Sequence, residues 1–174
     1  KCYNAGKISG YDGRYTSGIV GRSDIKLTVE DCYNVGEISE TSGTSFKGAM
    51  VGYNLPAGSI IKNCYTTGYF TTTGTRSQPM YTVSGDSVNV TSSGLYYLEG
   101  INTAATVANA EIKTAVELAK LDLGSNWELA TNLAKDNSYP FPQIKDNDYK
   151  VNADTTIIEN TTPACFATGK AEDV

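Results

Sequence analysis

Four cysteines, four of the nineteen carboxylates and a set of tyrosines are the side chains of this 174-residue chain whose placement in the sequence could do chemistry. Cys2, Cys32, Cys64 and Cys165 allow a disulfide framework with three possible pairings. A tetrahedral zinc site needs converging Cys or His ligands. The chain has no histidine and no Cys-x-x-Cys, so zinc would have to draw ligands from three separate segments. Asp24, Glu30, Asp31 and Glu37 could supply the carboxylate pair of a glycan-cleaving enzyme. They share no motif with a His, Arg or Tyr, and carboxylates are mostly exposed, so they read as solvated loop charge. No catalytic residue, metal site or cofactor is expected. Tyr3, Tyr33, Tyr65 and Tyr96 could stack on sugar rings as a ligand-binding ladder. The alternative is that they stack on one another, and that structural role is the favoured reading.

The elements that position these residues are set by an internal repeat. Cys2-Tyr3-Asn4-Ala5-Gly6-Lys7-Ile8-Ser9 returns as Cys32-Tyr33-Asn34-Val35-Gly36-Glu37-Ile38-Ser39 and as Cys64-Tyr65-Thr66-Thr67-Gly68-Tyr69-Phe70-Thr71. A degenerate fourth copy begins at Leu95-Tyr96-Tyr97. The lead residues are spaced 30, 32 and 31 apart. Between copies lies a second phrase, Ser17-Gly18-Ile19-Val20-Gly21 and Gly48-Ala49-Met50-Val51-Gly52. Ile25-Lys26-Leu27-Thr28-Val29 then alternates apolar and polar with the period of a half-buried strand. A unit of two or three short strands cannot bury its apolar face alone, whereas stacked units bury a continuous core.

A parallel β-helix of about three to four rungs over residues 1–103 is therefore predicted. Stacking puts Cys2, Cys32, Cys64 and Leu95 in one inward column and Ile8, Ile38, Phe70 and Ile101 in another. Alternation then points the four tyrosines outward or toward a corner. Gly6, Gly36 and Gly68, with Asn4 and Asn34, fall where the chain bends, and both residue types tolerate the left-handed conformation. Stacked cysteines lie about 4.8 Å apart between Cα atoms, but their side chains point the same way, which favours free thiols. Lys7 and Glu37 share one repeat position and are expected to pair across rungs.

From residue 104 the composition turns to Ala, Leu, Lys and Glu. Thr114 and Glu117 form a capping-box signal and Gly124 a stop, so a short helix is predicted near 115–123, with Asn109 as an alternative start. A helix over the last rung would cover an otherwise unpaired edge. Trp127 and Tyr139-Pro140-Phe141-Pro142-Gln143-Ile144 read as cap packing, with the prolines confining that stretch to an edge strand or arm. Residues 104–144 thus form a cap and 145–174 an extended tail or linker.

A net charge of −5 without basic clusters argues against nucleic acid. No apolar run reaches the length of a transmembrane helix, so no membrane insertion is expected. The start in mid-repeat suggests a piece of a longer chain. Gly-Ile-Val-Gly combined with Cys-Tyr-Asn-x-Gly-x-Ile resembles the GLUG-type repeats of bacterial surface and secreted proteins. The closing order of Tyr-Tyr-Leu, a short helix, Leu-Gly, Trp127 and Tyr139-Pro140 is similar to how such arrays end. The likeness covers roughly residues 1–144, and the third copy departs from it by losing Asn, the fourth by losing Cys. It implies a right-handed parallel β-helix outside the cell, one monomeric segment of a larger multidomain chain, without catalytic residues. The expected function is a stalk or adhesion surface toward an extracellular glycan or host protein. The alternative is the scaffold of a secreted β-helix glycan-active enzyme or protease.

Overall fold

The computed structural model describes residues 1–10, 15–40, 46–53, 55–71, 77–80, 89–101, 110–129 and 140–145. The alternative helix start at Asn109, Tyr139, Cys165 and the tail beyond residue 145 lie outside these. The described chain is mainly β, with parallel sheets and one short helix.

Each copy of the first phrase forms a strand, and each strand pairs with the next copy. β1 (Cys2–Asn4), β4 (Thr28–Asn34), β7 (Ile60–Thr66), β9 (Thr91–Leu98) and β10 (Glu111–Lys113) make one parallel sheet in that order. Its register aligns Cys2 with Cys32, Cys32 with Cys64, and Cys64 with Leu95. The expected first column is therefore present. β2 (Ile8–Gly10) pairs in parallel with β5 (Ile38–Glu40), and Ile38 bridges onward to Phe70. Phe70 donates its N–H to the Ile101 carbonyl, which extends the second column to its fourth member.

β3 (Tyr15–Ser17), β6 (Phe46–Gly48) and β8 (Ser77–Gln78) form a third parallel sheet. Here the structure reveals a relation that the residues conceal. Ala49 and Met50 accept register from Pro79 and Met80 through N–H bonds to their carbonyls, so Gln78-Pro79-Met80 is a third version of the second phrase. Only Met50 and Met80, both fully buried, keep their identity.

The core runs between the sheets. Val29, Cys32, Val35, Ile38, Met50, Ile61, Cys64, Phe70, Met80, Leu95, Leu98 and Ile101 are all buried in one cluster. Non-polar surface of this kind contributes about 25 cal/mol per Å2 removed from water, and no single copy could bury it.

The helix is shorter than its signals suggest. α1 spans Ala115–Ala119 with Thr114 as N-cap, and the capping box with Glu117 forms in both directions. The left-handed Gly124 lies five residues beyond the last helical residue, so it turns the chain after a coil and does not end the helix. Only Leu118 of the helix is buried. β11 (Trp127–Glu128) and β12 (Gln143–Ile144) then pair antiparallel, placing Trp127 opposite Ile144. The prolines of the 140–145 segment precede this strand, as their missing N–H groups require.

Candidate functional site

The tyrosines line one face of the first sheet, the cysteines the other, and Asp31 stands at a bend between them. Tyr3, Tyr33 and Tyr65 form a stack with centroids 5.2 Å apart at both steps and interplanar angles of 12° and 9°. In-register parallel pairing produces this spacing directly, because equivalent side chains must lie above one another. Tyr96 continues the register opposite Tyr65 and carries the Lys113 ammonium 5.6 Å from its ring centroid.

Of the four tyrosines expected to point outward or toward a corner, the two central ones are covered. Tyr33 and Tyr65 are fully buried, while Tyr3 and Tyr96 are half-buried. The cover is the closing segment. Trp127 sits 5.7 Å from both Tyr33 and Tyr65, tilted by 52° and 48°. The Tyr65 hydroxyl donates to the Pro142 carbonyl at 2.5 Å. Alternation does send Cys and Tyr to opposite faces, but the second face is closed by residues some sixty to ninety positions away in sequence.

Asp31 makes that closure specific. It is 2% exposed, so its reading as a solvated loop charge is overturned. Its carboxylate accepts from Asn126 Nδ2 at 2.6 Å, from the Trp127 indole N–H at 3.2 Å, and from Asn63 Nδ2 at 3.3 Å. Lys1 Nζ donates to Asn126 Oδ1 at 2.9 Å and supports the same asparagine. A buried carboxylate is tolerated where several donors replace its lost water.

Asp31 also occupies the first bend. Its φ is 52°, that of Asn63 is 51° and that of Gly94 is 60°, and these three residues precede Cys32, Cys64 and Leu95 respectively. The left-handed bend is thus a column of its own. Asp, Asn and Gly are the residue types that adopt this conformation at least cost. Sequence reasoning missed it because three different letters occupy the position; the shared signal was their common tolerance of φ above zero.

The second bend works differently, and here the glycine expectation is corrected. Gly6, Gly36 and Gly68 are not among the residues with positive φ. A Cβ on Gly36 would lie 2.0 Å from the Gly6 carbonyl oxygen, and one on Gly68 would lie 2.2 Å from that of Gly36. Glycine is required there by close backbone approach between copies. Asparagine supports the approach: Asn4 Nδ2 donates to the Gly6 carbonyl at 2.9 Å and to Asn34 Oδ1 at 2.8 Å. Asn34 Nδ2 likewise donates to the Gly36 carbonyl at 3.0 Å and to Thr66 Oγ1 at 3.3 Å. Thr66 Oγ1 in turn donates to the Asn34 carbonyl and accepts from the Gly68 N–H, which is how threonine replaces asparagine in the third copy.

The other three candidate carboxylates are held in ion pairs. Glu37 meets Lys7 at 2.7 Å, the cross-copy pair expected from their shared position. Glu30 meets Lys62 at 2.7 Å and Asp24 meets Arg22 at 2.6 Å. Cys2, Cys32 and Cys64 are free thiols, Cys2 exposed and the other two buried. The Cys32 Sγ donates to the Glu30 carbonyl at 3.2 Å, and the Cys64 Sγ to the Lys62 carbonyl at 3.1 Å. The adjacent Cys64 thiol lowers the Cys32 thiol below its ordinary value, while burial, then the neighbouring Cys32, pushes Cys64 up.

Among the described residues no group of three or more Cys, Asp or Glu side chains is placed to hold a metal ion. No described helix is long and apolar enough to cross a membrane. Compared with protein-family models, curated proteins and solved structures, the chain matches none.

Proposed function

We propose that this chain is a non-catalytic β-solenoid module, wound right-handed like the GLUG-type repeats it resembles. It acts outside the cell as a stalk or adhesion segment of a larger protein. The observation that carries the reading is the use made of the reactive side chains. Tyrosines stack on tyrosines, Glu30 and Glu37 pair with lysines, and Asp31 anchors the closing strand. Each of these contacts aligns one copy with the next or with the cap. Catalysis would instead need carboxylates aimed at a shared open space.

The stacking of successive coils is supported by strand order, and the right hand is taken from the resemblance. The first strand of each copy pairs with the first strand of the next, and second and third strands do likewise in separate sheets. For a glycan partner, the ladder offers its half-buried members, Tyr3 and Tyr96. The two central rings lie under Trp127.

A glycan array probed with the labelled protein, followed by chromatography of glycans incubated with it, tests the proposal. Binding or silence without turnover is expected. A depolymerised product would overturn it.

A further inference from the structure

The cysteines of the first sheet are turned alike on successive strands. Cys32 and Cys64 are register partners, and so are Glu30 and Lys62, whose carbonyls the two thiols contact. Cys32 Sγ lies 3.2 Å from the Glu30 oxygen and Cys64 Sγ 3.1 Å from the Lys62 oxygen. The chain enters the two cysteines through matching left-handed residues, Asp31 at φ 52° and Asn63 at φ 51°. Each thiol thus stands in the same way on its own strand, and the sulfurs are separated by the spacing of the strands themselves, about 4.8 Å.

That separation decides what can join them. A disulfide needs sulfurs about 2.05 Å apart and Cβ atoms about 3.8 Å apart. Closing one would pull neighbouring strands together against their main-chain ladder. A metal ion held in a straight line between two thiolates spans two bonds of about 2.3 Å, or roughly 4.6 Å in all. The gap between copies matches such a unit to within a few tenths of an ångström, with neither strand displaced. Zinc does not fit, because it takes four ligands and no three Cys, Asp or Glu side chains converge on one point among the described residues. A cation satisfied by two ligands, and soft enough to select thiolates, is of the copper(I) class.

We propose that the cysteine column binds a soft monovalent cation of the copper(I) class, held in line between the sulfurs of successive copies. Register sets two gaps, Cys2 to Cys32 and Cys32 to Cys64, and Cys32 belongs to both. Leu95 continues the register without a sulfur and closes the column. As a cation enters a gap, two S–H bonds give way to two sulfur–metal bonds and both protons pass to solvent. Cys32 and Cys64 are buried in the apolar core, which keeps water from competing for the ion. The proposal rests on sulfur geometry and is independent of the stalk reading.

Silver(I), a redox-inert cation of the same class, serves as the probe in oxygen-free, chloride-free buffer, with affinity read by competition with free cysteine. A Cys165→Ser background leaves the column as the only source of thiols. Cys2→Ser and Cys64→Ser each keep one gap and should bind nearly as tightly as the background chain. Cys32→Ser breaks both gaps and should weaken binding by about a hundredfold or more, the usual gain of two linked contacts over one. X-ray absorption on the background chain loaded with a single silver ion should find two sulfur neighbours. Equal affinity of Cys32→Ser and the two end variants overturns the proposal, as does binding no tighter than that of free cysteine. A sulfur count of one, or of three, overturns it too, and that count is read with the column intact, so it decides even if Cys32→Ser fails to fold.

Discussion

The two bends beside the tyrosine stack turn the chain by different means. At the first, Asp31, Asn63 and Gly94 turn through the backbone, each at φ near 50 to 60°. At the second, the Asn4, Asn34 and Thr66 side chains bond across copies while glycine lets the carbonyls come close. The first bend asks for a torsion that several residue types can adopt. The second asks for a small residue and a particular donor. Tolerance to substitution should therefore differ at the two, and so should visibility in sequence.

The largest effect is expected at Asp31, where the backbone bend and the cap meet. Asp31→Ala removes the acceptor shared by Asn63, Asn126 and Trp127 and leaves an alanine at φ near 50°. Leaving the buried Trp127 N–H and two half-buried asparagine amides without this partner, with added strain, should cost about 3 kcal/mol in a urea titration followed by circular dichroism. A loss below about 1 kcal/mol would show that the cap holds without Asp31.

Next comes Asn34, fully buried at the second bend. Asn34→Ala removes the donor to Gly36 and Thr66 and the acceptor for Asn4, and a cost of about 2 to 3 kcal/mol is expected by the same titration. Asn34→Gly should be no milder, because the lost element is the side chain.

At Asn63 the comparison becomes sharp. Asn63→Val should cost about 3 kcal/mol, since it loses the bond to Asp31 and a β-branched residue resists the left-handed region, whereas Asn63→Gly, which loses the bond alone, should cost about 1 kcal/mol. Equal losses for the two variants would mean that this bend depends on its side chain, and the contrast between the bends would fail.

The smallest effect lies at the helix. Thr114 lowers the Glu117 pKa through a backbone and then a side-chain hydrogen bond. A carboxyl with a depressed folded pKa adds stability above its unfolded value and loses it as pH falls through the folded one. Thr114→Ala should cost about 1 kcal/mol at neutral pH, and its deficit relative to the parent chain should shrink on acidification below the ordinary carboxylate range.

The repeat made much of the pairing legible. Because Cys2, Cys32, Cys64 and Leu95 recur at near-constant spacing, the register of the main sheet could be written down from residues alone. The free-thiol reading and the Lys7–Glu37 pair came from the same alignment of columns. The left-handed column escaped because its members share a torsion and no side-chain type. The third version of the second phrase escaped because Gln78-Pro79 preserves hydrogen bonding without preserving letters. The burial of Tyr33 and Tyr65 was out of reach for a different reason: it depends on Trp127 and Pro142, and alternation within a strand carries no information about a distant segment.

Trp127 has an optical consequence. It is the only indole among twelve tyrosines, and its ring touches the two central members of their stack. Light absorbed by Tyr33 or Tyr65 can therefore pass to the indole and emerge as tryptophan fluorescence. Detachment of β11 would uncouple donor from acceptor, so recovery of tyrosine emission would signal the cap lifting even while the parallel sheets stay intact.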